Sequence, residues 1–396
     1  MTTTPDTSPS RTVARLRLVG AVERTFRNLR YQLIFISFIR PAAVLTFRSH
    51  LGEIDLRYLP RLLLLCLSGL AAQPLRFLET ALYGKRIAIT RIEEPPIFII
   101  GHWRSGTTHL HNLMSCDPRL GFVSMYQAIA PDFSLIGRRW LKPLLARILP
   151  AKRPMDEMVW PIDSPQEEEV ALGKVTPYSF YVQFLFPRRA RFFFERHVLG
   201  RHSTDAIMEQ VKKEYLHMLR VATIHAGGRR LILKNPVNTG RVALLLDLFP
   251  GAKFIHIHRS PLEVYASTRN LQKKILGFTT LQKLDESGSV ETTLALYDGM
   301  MRRFIDDRAL IPQQDLAEIR FEDLERDPVG EIERVYADLH LSGFAEARPN
   351  LEHYVDSLRS YRKNRFVLPE AERELVRQRW GFAFRAFGYS ADPADV

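Results

Sequence analysis

Residues 95–110 read PPIFIIGHWRSGTTHL, a short apolar run followed by a loop with two glycines and four arginine, serine or threonine side chains. The run at 97–100 is β-branched and aromatic, which predicts a buried strand. Thr107 and Thr108 then open a segment with apolar residues at helical spacing. Successive backbone N–H groups in a glycine-containing turn at the start of a helix form an anion site. The stretch therefore predicts a strand–loop–helix unit that holds an anionic ligand.

The loop resembles the phosphate-binding loop of nucleoside-triphosphate enzymes but lacks its lysine. In those enzymes a lysine at the position of Thr107 reaches the outer phosphates. Here the basic residue is Arg104, three positions earlier. A nucleotide-dependent kinase of similar fold would need that lysine and a magnesium-binding aspartate after a strand. The kinase is therefore a weaker alternative.

Short β-rich runs alternate with helical patterns after Pro96. The other predicted strands are LILK (231–234), KFIHIH (253–258) and AEIRFEDL (317–324). After the second of these, Ser260, Pro261 and Glu263 combine an N-cap, a first-turn proline and a capping glutamate. Strands separated by helices predict an α/β fold, a parallel sheet like that of P-loop NTPases with helices on its faces. Ligands of such sheets bind at the carboxyl ends of the strands, so the segments that follow the first three strands are expected to converge.

The segment before this sheet predicts a helical N-terminal lead-in. We divide the chain into a tail at 1–10, expected to be disordered, a helical region at 11–95 that packs on the core, and a main domain at 96–396. Two apolar stretches, LIFISFI (33–39) and LLLLCLSGLAA (62–72), are shorter than the about 20 residues of a membrane span. We favour buried helices; the alternative is a face that lies on a membrane surface.

The composition restricts the partners and the compartment. The 396 residues carry a formal net charge of +12 and 46% hydrophobic residues, typical of a globular protein with an anionic partner. The basic residues are scattered, so we expect no nucleic-acid partner. Cys66 and Cys116 predict neither a disulfide framework nor a zinc site, and the first residues do not open a secretory signal. We therefore expect a cytoplasmic protein, with peripheral contact at the inner membrane surface as a further hypothesis.

A second anion motif follows the predicted strand at 253–258. Arg259 ends this strand, and Ser267 lies eight residues later, two turns into the helix that follows. The guanidinium group can form a bidentate contact with a phosphate, and the serine hydroxyl can donate to the same group. A chain with both motifs fits a ligand that carries phosphates at two ends.

These motifs together resemble the sulfotransferase family. GHWRSGTT is similar to its 5′-phosphosulfate loop, and IHIHRSPLEVYAS is similar to its 3′-phosphate motif. LILKNP resembles a lysine-containing strand end found in several branches, and IRFEDLERDP resembles a tyrosine–glutamate–aspartate–leucine segment, with Phe321 in place of the tyrosine. The resemblance covers about residues 95–340, with the motifs in the family's order.

The resemblance implies the donor and the residues that bind it. Family members use 3′-phosphoadenosine 5′-phosphosulfate (PAPS), release adenosine 3′,5′-bisphosphate and need no metal. A sulfuryl donor has no γ-phosphate, which accounts for the missing lysine. Arg104 would stabilise the charge that develops on the departing phosphate, and Lys234 would face the sulfuryl group. The remaining expected donor-binding residues are Ser105, Gly106, Thr107 and Thr108 at the 5′-phosphate and Arg259 and Ser267 at the 3′-phosphate.

The general base is the least determined part of the site. Small-molecule members use a histidine two residues after the lysine, where this chain has Pro236; another branch uses a glutamate where this chain has Gln127. The remaining acidic cluster is DSPQEEEVAL (163–172), which predicts a helix start with three glutamates in its first turn. We expect Glu168 or Glu167 to be the base, ahead of Glu169.

The acceptor stays open between a small molecule, a lipid and a carbohydrate, with transfer to a hydroxyl or an amine. The aromatic stretch 178–194 can form the wall of an apolar acceptor pocket or simply core structure, and the basic segment 360–366 is a candidate second clamp for the 3′-phosphate. Because the expected histidine is missing, a non-catalytic protein that binds adenosine bisphosphate or a membrane surface is a further alternative.

Overall fold

The computed structural model describes residues 27–47, 54–153, 158–358 and 366–390. The tail at 1–10 lies outside the described residues, as do positions 360–365 of the candidate clamp.

The described residues form a five-stranded parallel sheet in the order β2-β3-β1-β4-β5. The strands are β1 (Ile97–Ile100), β2 (Leu120–Gly121), β3 (Arg230–Lys234), β4 (Lys253–His258) and β5 (Leu316–Arg320). The central strand β1 pairs in parallel with β3 on one side and β4 on the other. The predicted α/β class with a parallel sheet is confirmed.

Helices surround the sheet and form the N-terminal lead-in. Residues 27–35 are helical and are called α1. The helices that precede β3 in the chain are α2 (Pro41–Phe47), α3 (Leu59–Ala71), α4 (Gln73–Ile89), α5 (Thr107–Met114), α6 (Met125–Ile129), α7 (Leu141–Ile148), α8 (Glu168–Val175), α9 (Ala190–His197) and α10 (Asp205–Ala226). The later helices are α11 (Val242–Leu248), α12 (Pro261–Thr279), α13 (Glu286–Asp307), α14 (Phe321–Arg326), α15 (Pro328–Asp338), α16 (Phe344–Ser357) and α17 (Glu370–Ala386).

Strand β1 is apolar at every position because both faces of the sheet are covered. Phe98 and Ile100 pack into a core cluster that includes residues of α10, α12, α13 and α17. Ile97 and Ile99 point the other way, into a cluster with residues of α5, α15 and α16. Successive side chains of a strand alternate between faces, so four residues anchor two helical layers.

The fourth predicted strand is wrong in its second half. The strand ends at Arg320, and Phe321–Arg326 form α14 instead of continuing it. Glu322 and Asp323 lie in the first turn of this helix, where carboxylates stabilise the positive end of the helix dipole. The two-residue strand β2 was not predicted, since so short a segment has no periodicity of its own.

The N-terminal helices pack on the rest of the protein through apolar and ionic contacts. Ile34, Ile36 and Ile39 are buried, as predicted for the stretch 33–39, but the predicted helix ends at residue 35 and residues 36–38 form a turn. Arg40 and Arg76 both bind the carboxylate of Asp132, at 2.7 and 3.2 Å. The stretch 62–72 is helical, as predicted, but it is only partly buried. The prediction of a helix is therefore confirmed there, and the prediction of full burial is wrong.

Asp132→Ala is expected to destabilise the protein, since it leaves the buried Arg76 guanidinium without this counter-charge. Removing one partner of a buried ion pair costs about 3–5 kcal/mol of unfolding free energy. Asp163→Ala is the control, because Asp163 forms an exposed ion pair with Lys142 and should cost less than about 1 kcal/mol. Urea unfolding followed by tryptophan fluorescence measures both, and equal losses would contradict the anchoring role of Asp132.

Candidate active site

The loop after β1 has a backbone that only a few residue types adopt readily. Gly101 and Gly106 have φ values of 141° and 102°, and Arg104 has a φ of 70°. A Cβ atom at Gly101 would lie 2.2 Å from the carbonyl oxygen of Ile257, so the glycine permits close contact with β4. The Gly101 amide donates to the Thr239 hydroxyl at 2.7 Å, which fixes the loop against the segment after β3.

Helix α5 begins at this loop without a side-chain cap. Its N-cap residue is Gly106, in a left-handed conformation. The Ser105 hydroxyl donates to the carbonyl oxygen of His102 at 2.7 Å and so stabilises the turn itself. An external anion can therefore take the place of a cap at the positive end of α5.

The two predicted anion motifs meet in the structure. Arg104 follows β1 and Ser267 lies on α12 after β4, yet the Arg104 Nε atom donates to the Ser267 hydroxyl at 2.8 Å. The Arg259 guanidinium lies over the ring of Phe321 at 4.4 Å and binds Glu263 at 2.6 Å. The predicted capping hydrogen bond of Ser260 is not formed; Ser260 is the N-cap, but Glu263 binds Arg259 instead.

A chain of hydrogen bonds joins the loop, the strand-end lysine and one glutamate. The Lys234 ammonium donates to Glu167 Oε1 at 2.5 Å and to the Thr108 hydroxyl at 3.2 Å. The Tyr181 hydroxyl donates to the other carboxylate oxygen of Glu167 and accepts from the Trp103 indole at 3.0 Å. Burial lowers the pKa of Lys234, although the negative charge of Glu167 opposes this shift.

The three neighbouring glutamates have different surroundings because of where α8 begins. Glu167 is the N-cap residue and its side chain is 16% exposed, whereas the helix starts at Glu168. The prediction that all three lie in the first turn is therefore wrong by one residue. The side chains of Glu168 and Glu169 are buried behind the site.

The pKa of Glu169 is lowered, whereas the pKa of Glu168 is raised. Burial by itself would raise the pKa of Glu169, but the ion pair with Arg241 and the hydrogen bonds from Asn235 and Ser179 hold it below its usual value. Burial raises the pKa of Glu168 to about 7. Its Oε1 atom accepts hydrogen bonds from Tyr215 and Asn238, and among the described residues its Oε2 atom has no partner. Glu168 is therefore partly protonated at neutral pH, and its burial fits a structural role.

One pocket of about 520 Å³ brings most of the expected residues together. The expected residues that line it are Arg104, Gly106, Thr107, Thr108, Glu167, Arg259 and Ser267. Lys234 is not among the lining residues, but its ammonium group contacts two of them, Glu167 and Thr108. Ser105 and Glu168 are not among the lining residues.

An apolar wall completes the pocket. Its members come from α1, the loop before α8, the segment 178–194 and α12, and they are Phe35, Trp160, Phe184, Leu271 and Ile275. The rings of Phe35 and Trp160 are 6.0 Å apart. Of the aromatic stretch 178–194, Tyr181 and Phe184 line the pocket, whereas Phe180 and Phe193 are core residues.

Several lining residues were not predicted individually. Tyr181 stood within the aromatic stretch, but no motif distinguished it from its neighbours. Arg153 and Trp160 lie in an irregular segment, and only the tertiary structure brings them to the pocket.

His102, in the loop after β1, is buried with its ring against Trp103 and Tyr297, and burial lowers its pKa to about 4.

Comparison with known proteins identifies relatives across most of the chain. The profile of the sulfotransferase family matches residues 95–346. The omega-hydroxy-beta-dihydromenaquinone-9 sulfotransferase of Mycobacterium bovis is 33% identical over 318 residues, which cover 78% of this chain and 79% of that protein. The enzyme of the same name from Mycobacterium tuberculosis is equally similar.

Solved structures support the same fold. A sulfotransferase from Mycobacterium tuberculosis H37Rv superposes with a TM-score of 0.61 at 18% identity, over 86% of this chain and 91% of that one. A sulfotransferase from Mycobacterium avium has a TM-score of 0.61 at 19% identity, over 80% and 82%. With the family profile and the relative at 33% identity, these findings show that the chain is an enzyme and belongs to the sulfotransferase family.

Proposed function

We propose that the enzyme transfers the sulfuryl group of PAPS to the hydroxyl group of a lipid-like alcohol. The observation that carries the proposal is the convergence of the segments after β1, β4 and β5 on one pocket with an apolar wall. Arg104 and Arg259 follow neighbouring strands, and a donor with phosphates at two ends needs two such cationic groups. The family membership favours this reaction over the kinase and over a non-catalytic binding protein.

The donor would be held by backbone and side-chain groups of two helix starts. Thr107, Thr108 and the uncapped start of α5 would bind the 5′-phosphate. Arg259 and Ser267 would bind the 3′-phosphate. Ser105 would act through the loop conformation, because its hydroxyl already donates to His102.

The chemical step is a direct in-line transfer without a covalent enzyme intermediate or a metal ion. A bond forms between the acceptor oxygen and sulfur, and the bond between sulfur and the bridging oxygen of the donor breaks. The electron pair of that bond stays on the 5′-phosphate of the departing adenosine 3′,5′-bisphosphate, where Arg104 and Lys234 would stabilise it. The acceptor proton goes to the carboxylate of Glu167.

Glu167 is a better candidate for this base than Glu168. It lines the pocket and its carboxylate is fixed by Lys234 and Tyr181. Such a fixed carboxylate can accept a proton from an alcohol that is aligned for attack. Glu168 would instead fix the start of α8, because its buried carboxyl group accepts hydrogen bonds from Tyr215 and Asn238.

The apolar wall favours a lipid-like acceptor over a carbohydrate. Phe35, Phe184 and Ile275 offer no hydrogen bonds that could replace those of a sugar. The mycobacterial relative is named for an omega-hydroxy derivative of dihydromenaquinone-9. For this chain we propose a long-chain alcohol of the same chemical class, with its hydroxyl directed at Glu167 and its apolar part against the wall.

Adenosine 3′,5′-bisphosphate is expected to raise the unfolding temperature of the protein, whereas ATP with Mg²⁺ is expected to do so less. Arg259→Ala should weaken this binding about 10- to 100-fold, because a charge-assisted hydrogen bond is lost. Arg104→Ala should mainly abolish transfer. Arg302→Ala is the control, since Arg302 forms an exposed ion pair on α13. Thermal shift titrations measure binding, and stabilisation by ATP alone would contradict the proposal.

Glu167→Gln should lower kcat about 100- to 10,000-fold, the usual contribution of a general base, with little change in donor binding. Glu168→Gln is the matched control, because it makes the same change at a neighbouring glutamate that is buried and does not line the pocket. Transfer of labelled sulfate from PAPS to a long-chain alcohol measures the rate. Full activity of Glu167→Gln would show that another group takes the proton.

Lys234 is expected to set the high-pH limit of the reaction. Burial lowers the pKa of this ammonium group, so its charge is lost as pH rises, below the usual range for lysine. The rate should fall over that window, because the charge stabilises the leaving group. Lys234→Arg stays charged and should lack this fall, although a bulkier group should lower the rate at neutral pH. Profiles of kcat between about pH 6 and pH 10 test this, and identical alkaline limbs would contradict it.

A further inference from the structure

Helices α3 and α4, together with the short 3-10 turn before α3, carry a row of large apolar side chains that face solvent. The row is called the exposed stripe and consists of Leu56, Leu59, Leu63, Leu67, Leu70, Phe77, Leu78, Leu82 and Ile89. Members separated by three or four residues lie on one side of a helix. Single exposed leucines are common on protein surfaces, whereas a row that extends along two consecutive helices marks an interaction surface.

The charges of these helices have one sign on the exposed side. Within 56–89 the single acidic residue is Glu79, and it is buried. The exposed charged side chains are Arg57 at one end and Lys85 and Arg86 at the other. An apolar row flanked by cations is complementary to a surface that is apolar inside and anionic outside, which describes a bilayer with anionic lipids.

The opposite side of the same helices is fixed to the folded body. Glu79 accepts hydrogen bonds from the amides of Leu135 and Ile136 at 3.1 and 2.7 Å. Arg76 binds Asp132 at 3.2 Å. By length and composition Leu56–Ile89 could cross a membrane, and 28% of its most apolar window is buried. Crossing would carry Arg76 and Glu79 away from these partners into hydrocarbon, so the contacts favour helices that lie on a membrane.

The inner side of α3 packs into the same core as the apolar wall of the pocket. The inward residues Leu65 and Ala72 belong to the same hydrophobic cluster as the wall residues Trp160 and Ile275. Arg61 of α3 donates to the carbonyl oxygen of Gly277 at 3.0 Å, beside the end of α12. A lipid surface at the stripe would therefore lie against the part of the protein that forms the acceptor side.

We infer that the exposed stripe docks on the surface of an anionic lipid bilayer. Its leucines and Phe77 enter the boundary between headgroups and acyl chains, and Arg57, Lys85 and Arg86 meet lipid phosphates. This docking does not require sulfuryl transfer, so it can be tested separately from the proposed reaction. It would place the enzyme at the source of a lipid acceptor.

The test is co-sedimentation of the full chain with vesicles of phosphatidylcholine alone or mixed with phosphatidylglycerol. The wild type should bind the anionic vesicles more tightly, and salt should weaken this binding. Leu67→Glu with Phe77→Glu should lower binding at least about ten-fold, since both side chains are exposed, at 55% and 74%. Lys85→Gln with Arg86→Gln should lower binding to anionic vesicles about five-fold or more and leave binding to neutral vesicles unchanged.

Leu310→Glu is the matched control, because Leu310 is 52% exposed and lies outside the two helices. All variants should keep the wild-type unfolding temperature and adenosine bisphosphate binding, which shows that they fold. Failure of the wild type to bind vesicles would overturn the inference, as would wild-type binding by the Leu67→Glu, Phe77→Glu variant. A dimer in buffer that this variant abolishes, without vesicle binding, would instead assign the stripe to contact between two copies of the chain.

Discussion

The position of β1 between two parallel neighbours is the constraint on which the rest of the structure depends. Hydrogen bonding to β3 on one side and β4 on the other brings the carboxyl ends of three strands to one edge of the sheet. Lys234 is the last residue of β3, and Arg104 and Arg259 follow β1 and β4, so residues far apart in the chain lie at one pocket or directly behind it. Because parallel strands bury both faces, the residues proposed for binding and catalysis lie at the last position of a strand or in the segments after the strands.

Buried charges fix the second half of the site. The ion pair of Glu169 with Arg241, at 2.8 Å and without solvent exposure of the carboxylate, anchors the first turn of α8 to the segment after β3. That anchor leaves Glu167, two residues earlier, at the pocket, where it meets Lys234. On a fully solvated helix, the three glutamates would have similar exposure and similar pKa values. The difference between Glu167 and Glu168 is therefore produced by desolvation and by partners from β3 and α10, two elements distant in sequence.

Much of the fold could be predicted from local pattern. The strands at 97–100 and 253–258 agree residue for residue with the predictions, because apolar β-branched runs between turn residues carry their own signal. The strand at 317–324 failed after Arg320, where an aromatic residue followed by two acids continues the apolar pattern but forms a helix. The prediction for the stretch 62–72 was wrong in a different respect, its burial. Its apolar residues satisfy the pattern of a buried helix, and only the position of the helix shows that one side is exposed and unpacked among the described residues.

The sequence by itself determined the strand–loop–helix unit, the second anion motif and the family, because each depends on neighbours in the chain and on glycine and arginine at fixed spacing. Only the tertiary structure decided that Arg104 meets Ser267, that Glu167 and not Glu168 faces the pocket, and that Tyr181 and Trp160 belong to the site. It also decided which side of α3 and α4 faces solvent. The physical reason is that burial, ion pairing and exposure are properties of three-dimensional surroundings, which residues distant in the chain supply.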